Sequence, residues 1–287
     1  MGNLLVKFWD VNHGHATYIR SPNGRHIVID LGNGELFGNE KFSPLLHLKN
    51  HYGVEQLDYC IITHPHLDHI DDILNLNKLS PKVLTRPNHI PERDLLNGVR
   101  LSELPKIKEY LRINKKYNRE IINGSYDNPA DPEFWGGLVI THFHPLECST
   151  SNLNNQSIVT VLEYAKIKIV IPGDNEAPSW NELLRDCNFT KKVADADIYL
   201  ASHHGRQSGY HQDVMKLINP RLTIVSDSKY HENSNIDRYR KYSRGWDVYK
   251  DNVEVRRFTL STYNDGVITV NAGHNQNTGK SYLQVDI

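Results

Sequence analysis

Four potential metal ligands lie within six residues of this chain, directly after an apolar segment. The segment runs from Leu57 to Thr63 (LDYCIIT), and HPHLDHIDD follows it. Such a run predicts a strand buried on both faces, and the apolar spacing after it predicts a helix that begins near Asp68. Imidazole and carboxylate groups are the ligands that zinc and harder divalent ions prefer. The pattern therefore favours an α/β fold with a metal site at a strand end, formed by His64, His66, Asp68 and His69.

Two further groups of polar residues follow predicted strands. Asp174 comes after IKIVIPG, where Gly173 lets the backbone turn sharply, and His203 and His204 come after DIYLA. Taken alone, Gly173-Asp174 is typical of an ordinary turn, and a histidine pair is typical of a solvated surface. Because α/β sheets gather their ligand sites at the carboxyl ends of strands, we expect all three groups to meet at one edge.

Short β-rich segments alternate with helical patterns along most of the chain, which indicates a layered α/β architecture. Residues 85–137 differ, because they are polar, partly helical and loop-like towards their end. We interpret them as an insertion outside the core. The sequence predicts a single domain over residues 1–287.

The overall composition gives no sign of a membrane protein or of a strongly basic nucleic-acid binder. The formal net charge is -1, so any nucleic-acid contact must come from a local patch. No apolar run approaches the roughly 20 residues that a membrane span needs, and we find no secretory signal. The 3 cysteines include no CxxC pair, which is typical of a reducing compartment. We expect a cytoplasmic protein that does not contact membranes.

Several segments together resemble the metallo-β-lactamase superfamily, and within it the hydrolase domain of the ComEC-type DNA-uptake proteins. The opening FWDVNHGHATYIRSPNGRHIVIDLG is similar to the first hairpin of that family, and IITHPHLDHIDDI to its metal motif. NNQSIVTVLEYAKIKIVIPGD is similar to the next hairpin, ADIYLASHHG to the late histidine motif, and YNDGVITVNAG to a closing hairpin. The resemblance begins near residue 4 and continues to the C-terminus, with residues 85–137 as an interruption.

The resemblance implies a four-layer αββα sandwich that holds two divalent ions, Zn²⁺ or Mn²⁺, between its sheets. It implies that His64 and His66 bind the first ion and that Asp68 and His69 bind the second. Asp174 would bridge the ions, and His203, which comes first off its strand, would complete the second site. His204 would then contact substrate or an outer carboxylate, and Asp30 would support the ligands from behind.

The chain also departs from the family in places that surround the substrate. Many members have a further histidine ligand where this chain reads Asn154-Asn155-Gln156-Ser157. His144 could replace that histidine, or His142 and His144 could merely alternate along a strand. Without that ligand, manganese becomes as plausible as zinc. The opening loop has His13-Gly14-His15 where the ComEC-like proteins usually have Gln-Gly-Asp, so we consider His13 and His15 as substrate contacts.

A two-metal site can hydrolyse phosphodiesters, lactones, thioesters or β-lactams, with Asp68 as the partner for the proton of the attacking water. Phosphodiesters are favoured by the ComEC-like resemblance and by a basic, aromatic-rich stretch over residues 216–257. The candidate phosphate contacts in it are Arg238, Arg240, Lys241 and Arg244. Acidic residues interleave with them, so a solvated face is the competing interpretation.

We therefore expect a nuclease or phosphodiesterase that acts on nucleic acid, and a multi-component system with an unidentified partner protein is one setting for such an enzyme. The alternative is a small-molecule hydrolase, such as a cyclic-nucleotide phosphodiesterase or a lactonase, in which residues 85–137 would cover an enclosed pocket. A third class is a non-catalytic, metal-stabilised interaction module. The nearly complete set of ligands argues against that third class.

Overall fold

The computed structural model describes residues 2–36, 40–121, 128–227 and 236–287. Its strands, numbered in chain order, are β1 Leu4–Phe8, β2 Thr17–Arg20, β3 His26–Ile29, β4 Gly34–Leu36, β5 Glu40–Phe42, β6 Tyr59–Ile61, β7 Val83–Thr85, β8 Val139–Phe143, β9 Val159–Tyr164, β10 Ile167–Ile171, β11 Ile198–Leu200, β12 Leu222–Val225, β13 Trp246–Lys250, β14 Val253–Arg257, β15 Thr259–Ser261, β16 Ile268–His274 and β17 Ser281–Asp286. Its α-helices are α1 Pro44–His51, α2 Leu67–Ile70, α3 Glu92–Leu95, α4 Leu104–Lys116, α5 Ala177–Leu183, α6 Cys187–Val193, α7 Gln212–Ile218, α8 Ile236–Tyr242 and α9 Thr262–Asp265.

Two large sheets form the centre of the molecule. The first has the strand order β14-β13-β17-β16-β1-β2-β3-β6-β7, and the second has the order β15-β12-β11-β10-β9-β8. Strands β3, β6 and β7 run parallel to one another, as do β10, β11, β12 and β15. The carboxyl ends of β3 and β6, and those of β10, β11 and β12, therefore each share one edge of their sheet.

Three clusters of buried side chains account for four layers. Strand β3 shows how the layers arise, because successive side chains of a strand point to opposite faces. Ile27 and Ile29 belong to the apolar cluster shared with strands of the second sheet, whereas Val28 belongs to a cluster with α1 and α4. A third cluster joins the second sheet to α5, α6, α7 and α8 through residues such as Trp180 and Tyr239. The architecture is the αββα sandwich expected from the sequence.

The interpretation of residues 85–137 as lying outside the core is wrong for several of its residues. Helix α4 buries Ile107, Tyr110 and Ile113 against the first sheet, because these side chains recur on one helix face. Trp135 is buried in the cluster between the sheets. Residues 122–127 of this segment lie outside the described residues.

In the described residues of the chain, no helix combines the length and apolarity that a membrane crossing requires.

Candidate metal centre

The candidate site lies where strands of both sheets end. His64 follows β6 after two residues, and Asp68 and His69 lie in the short helix α2. Asp174 follows β10 across Gly173, which has a φ of +62°. A Cβ at Gly173 would lie 2.8 Å from the Thr63 Cβ, so only glycine lets these two strand ends approach so closely.

Three of the expected ligands converge on one point together with His204. Ligand atoms of Asp68, His69, Asp174 and His204 all lie within 4.8 Å of one another. His69 Nε2 lies 3.2 Å from Asp174 Oδ1 and 3.2 Å from His204 Nε2. His204 Nε2 also lies 3.2 Å from Asp68 Oδ2 and 3.4 Å from Asp174 Oδ2. Such nitrogen and carboxylate donors suit a divalent transition ion.

His64 and His66 lie beside the same carboxylate. His64 Nε2 is 3.1 Å from His66 Nδ1 and 3.8 Å from Asp174 Oδ2. Because the Asp174 carboxylate faces both groups of histidines, it borders two candidate ion positions. We call the position beside His64 and His66 the first position, and the one beside His69 and His204 the second position.

The late histidines have the opposite arrangement to the one expected. His204, rather than His203, reaches the second position, and its Nδ1 donates to the Ser226 carbonyl at 3.0 Å, which leaves Nε2 free to bind an ion. His203 points its Nδ1 toward Glu176 and Ser208, and its Nε2 lies 3.9 Å from Asp174. The backbone conformation explains the difference, because His203 and His204 have left-handed φ values of 50° and 53°. The chain turns tightly at these residues, so the first histidine after the strand is not the one whose imidazole faces inward.

Asp30 lies behind the ligands, as expected. Its Oδ2 accepts from His69 Nδ1 at 2.8 Å and from Thr63 Oγ1 at 2.7 Å, and its Oδ1 accepts from the Thr63 backbone N–H. A carboxylate on the far nitrogen of an imidazole fixes the ring and leaves the other nitrogen directed at the metal. Asp30 is fully buried, so this network has a fixed geometry.

The two histidines of the opening loop have different positions. His13 lies at the site, with its Nε2 3.3 Å from Asp68 Oδ2 and its ring centroid 4.8 Å from that of His204. His15 is only 2% exposed and bonds Asp30 and Thr17. The expectation that His15 contacts substrate is therefore wrong, because it lies inside the supporting network.

The charges at the second position fit a divalent cation. Burial lowers the pKa of His69, but Asp174, Asp30 and Asp68 outweigh it and hold that pKa well above its usual value. Burial likewise opposes the charge of His204, yet Asp174 and Asp68 raise its pKa to about 9. The buried carboxylates therefore stabilise positive charge at this point. Both the donor set and this negative electrostatic environment fit a metal ion.

His144 lies away from these donors. It belongs to neither group of converging His and Asp ligand atoms in the described residues, and its exposed ring stacks on that of His89 with centroids 6.4 Å apart. The two rings border a pocket of about 180 Å³ together with Arg86 and His142. His142 and His144 alternate along β8 and just beyond it, which is the competing interpretation given above.

The basic stretch does not form one surface at the site. Arg244 donates to the carbonyls of Asn219 and Ala196, which precede β12 and β11, so it lies at the edge opposite the metal donors. Arg240 lies over the Phe258 ring, just before β15, and Lys241 is exposed beside it on α8. Arg238 lies over the Tyr210 ring, which follows the late histidines. The expectation of a shared phosphate-binding patch is wrong for Arg244, because α8 leads the chain away from the site.

Three further residues support the site, and the sequence pattern does not single them out. Thr63 orients Asp30, Ser226 orients His204, and Glu176 contacts His203 at 3.3 Å. Thr63 and Ser226 follow the strands β6 and β12 directly or after one residue, as the ligands do. That strand-end position was the available signal, although the residue types did not point to metal binding.

Comparison with known proteins agrees with the fold. The family model of the metallo-β-lactamase superfamily matches residues 9–226. YcaI of Escherichia coli strain K12 is 23% identical over 225 residues, which cover 77% of this chain and 25% of that protein. ComE operon protein 3 of Bacillus subtilis strain 168 is 23% identical over 247 residues, which cover 79% and 29%.

This chain thus spans between a quarter and a third of the length of those two relatives. Among solved structures, a diphosphatase of the PhnP family aligns with a TM-score of 0.47 and 10% identity, covering 93% of this chain and 98% of that one. The family match extends over far more than half of the residues and includes every strand end that carries a candidate ligand. The chain belongs to the metallo-β-lactamase superfamily.

Proposed function

We propose that the chain is a metal-dependent phosphodiester hydrolase and that its substrate is a nucleic-acid strand. In this proposal His64, His66 and Asp174 hold the first ion, and Asp68, His69, Asp174 and His204 hold the second. Two divalent ions, Zn²⁺ or Mn²⁺, would supply the Lewis acidity that activates a water molecule and neutralises charge on the phosphoryl oxygens. His203, facing outward, takes the substrate-side place first expected for His204.

The position of Arg206 is the main support for an anionic substrate. Its guanidinium nitrogens lie 3.0 Å from His13 Nε2 and 3.4 Å from His203 Nε2. His13 in turn contacts Asp68, so the cation lies at the rim of the donor cluster. In the described parts of the chain Arg206 forms no ion pair with a carboxylate. Arginine recognises phosphate through paired, charge-assisted hydrogen bonds, whereas a neutral lactone offers oxygen acceptors but no negative charge.

Asp68 is the candidate proton acceptor. Burial raises its pKa, but His69 and His204 outweigh burial and hold that pKa below its usual range, so the side chain is a carboxylate at neutral pH. In the reaction, the water oxygen forms a new bond to phosphorus and the bond to the leaving sugar oxygen breaks. The proton of the water passes to Asp68 and then to the leaving oxygen, so atoms and charge balance.

An aromatic and a basic side chain near Arg206 support a polymer substrate. Tyr210 lies four residues further on and is half-buried, and the exposed Arg238 lies over its ring at 5.6 Å. An aromatic ring beside cations suits a strand whose bases stack and whose phosphates need charge. The ComEC-like sequence features and the match to ComE operon protein 3 support the same choice.

The 3 cysteines are unpaired, which supports a cytoplasmic location for this activity.

The test compares two arginine variants on three substrates. Arg206→Ala is expected to lower kcat/KM on labelled single-stranded DNA or RNA by about tenfold to a hundredfold, the value of a charged hydrogen-bonded contact. Arg244→Ala is the matched control. The Arg244 side chain donates to the carbonyls of Asn219 and Ala196, away from the metal donors, so this variant should cleave as the parent does. Cyclic nucleotide and a lactone serve as the other substrates. If the parent hydrolyses either of these and neither polymer, the small-molecule alternative replaces this proposal.

The alternative needs an enclosed pocket over the metal donors. The pocket of about 180 Å³ that residues of the 85–137 segment border includes none of those donors, so it does not favour this alternative. The substrate assay above decides between the two candidates.

A further inference from the structure

The two ion positions differ in how many side chains reach them. Asp68, His69, Asp174 and His204 surround the second position. At the first position, only His64 and His66 accompany Asp174 among the donors expected from the sequence. A catalytic transition ion is held by at least three protein ligands and leaves a place for water. The first position reaches three protein ligands only by sharing Asp174 with the second position, so it has fewer donors of its own.

The side-chain oxygen of Asn154 is buried. The side chain is 9% exposed, and within the described residues its Oδ1 makes no hydrogen bond. Its other amide atom, Nδ2, has a long contact of 3.4 Å with Glu176 Oε1. Leaving a buried carbonyl oxygen unpaired costs about 1–3 kcal/mol, so the arrangement calls for an explanation.

The turn that contains Asn154 is fixed to the two strand ends that form the first position. Three residues on, Ser157 Oγ accepts from the Asp174 backbone N–H at 2.9 Å. The next residue, Ile158, donates its N–H to the Thr63 carbonyl at 3.0 Å, directly before His64. The Asn154 amide also interacts with the His66 imidazole. The turn is thus fixed to the strand ends that carry His64 and Asp174, and the Asn154 amide lies next to His66.

We propose that Asn154 Oδ1 is a ligand of the ion at the first position, and that this oxygen favours Mn²⁺ over Zn²⁺ relative to an imidazole ligand in the same place. Amide and carboxylate oxygens suit Mn²⁺, whereas imidazole nitrogen suits Zn²⁺. The Glu176 contact on Nδ2 fixes which amide atom points inward, because a carboxylate accepts only from the nitrogen. The inference rests on the metal centre of the proposed function but not on its substrate.

The experiment measures metal binding without any substrate. Metal-free protein is titrated with Mn²⁺, and free Mn²⁺ is followed by electron paramagnetic resonance; Zn²⁺ affinity is measured by competition with a chromogenic chelator. Asn154→Ala is expected to weaken one of two Mn²⁺ sites about tenfold or more. Asn154→His is expected to tighten Zn²⁺ binding and to raise the ratio of Zn²⁺ to Mn²⁺ affinity at that site about tenfold or more. Asn154→Asp keeps an oxygen ligand and should bind Mn²⁺ at least as tightly as the parent.

Asn152→Ala is the matched control, because Asn152 is exposed and its amide also donates to Glu176, at 3.0 Å. It should bind both metals as the parent does. The inference is overturned if Asn154→Ala keeps both Mn²⁺ affinities, or if Asn152→Ala weakens Mn²⁺ equally. If Asn154→Ala loses its circular dichroism spectrum, Asn154→His and Asn154→Asp decide: equal metal preference in these two variants also overturns it. A parent that binds neither metal would instead contradict the metal centre and the proposed function.

Discussion

At the residue scale, His203 and His204 share a sequence motif but not an environment. His204 is buried among carboxylates, whereas His203 lies toward Arg206, Glu176 and Ser208. We expect His204→Ala to lose about one ion per chain, because it removes a donor from the second position. His203→Ala should keep the metal load of the parent. Elemental analysis of the dialysed proteins measures both.

Equal metal loads in the two variants would contradict the assignment of His204. A loss in His203→Ala alone would restore the expectation from strand order. Asp174→Ala should lose at least one ion, because its carboxylate faces both positions.

Gly173 provides a second prediction at this scale. Alanine there would carry a left-handed backbone, which costs about 1–2 kcal/mol, and would press on Thr63 and Ser157, which adds about 1–3 kcal/mol. Gly53 has nearly the same φ, +66°, but open space around its Cβ position. Chemical denaturation should show a larger loss of unfolding free energy for Gly173→Ala than for Gly53→Ala. Equal losses would mean that the strand ends do not require close packing.

At the element scale, β8 joins the two sheets through His142. Its Nε2 lies 2.9 Å from the hydroxyl of Tyr59 in β6, and its Nδ1 lies 3.1 Å from Thr160 Oγ1 in β9. Burial, together with the nearby His144, lowers the pKa of His142 from 6.5 to about 4. The folded protein thus holds this ring neutral in a range where the unfolded chain takes up a proton.

A depressed histidine pKa gives stability that is present above pH 6.5 and is lost as the pH falls toward 4. We expect His142→Gln to flatten the decline in unfolding free energy over that range by up to about 3 kcal/mol, the equivalent of the shift. Denaturation series at several pH values, for parent and variant, measure the difference. Parallel curves would show that His142 does not titrate in this way.

At the scale of the whole molecule, the apolar cluster between the sheets makes the two halves depend on each other. It takes side chains from β1 and β3 as well as from β9, β10 and β11. We expect the chain to unfold in one transition, as a single domain would, with far-ultraviolet circular dichroism and tryptophan fluorescence giving the same midpoint. Separate midpoints for the two probes would contradict the single domain.

The sequence carries most of the fold because its strand patterns and strand-end ligands are local. His64, Asp68, His69 and Asp174 each follow a strand that the apolar pattern predicts. Side-chain direction is not local in this sense. The choice between His203 and His204 depends on two positive φ values, and the burial of His15 depends on Asp30, fifteen residues away.

Longer-range errors have the same physical origin. Arg238 and Arg244 are close in sequence, but α8 places them toward opposite ends of β12, a strand of four residues that spans about 13 Å. Trp135 enters the central core from a polar segment whose composition gives no hint of it. Tertiary packing determines the positions of these side chains, and local sequence patterns do not predict that packing.

The most direct test of the account is a titration of metal-free protein with Mn²⁺ while the initial rate of single-stranded DNA cleavage is measured. The account predicts no cleavage without metal and a rate that reaches its maximum near two ions per chain. It predicts no cleavage for Asp174→Ala at any metal concentration, because that variant lacks the carboxylate shared by the two positions. Undiminished cleavage after metal removal, or parent-like cleavage by Asp174→Ala, would contradict it.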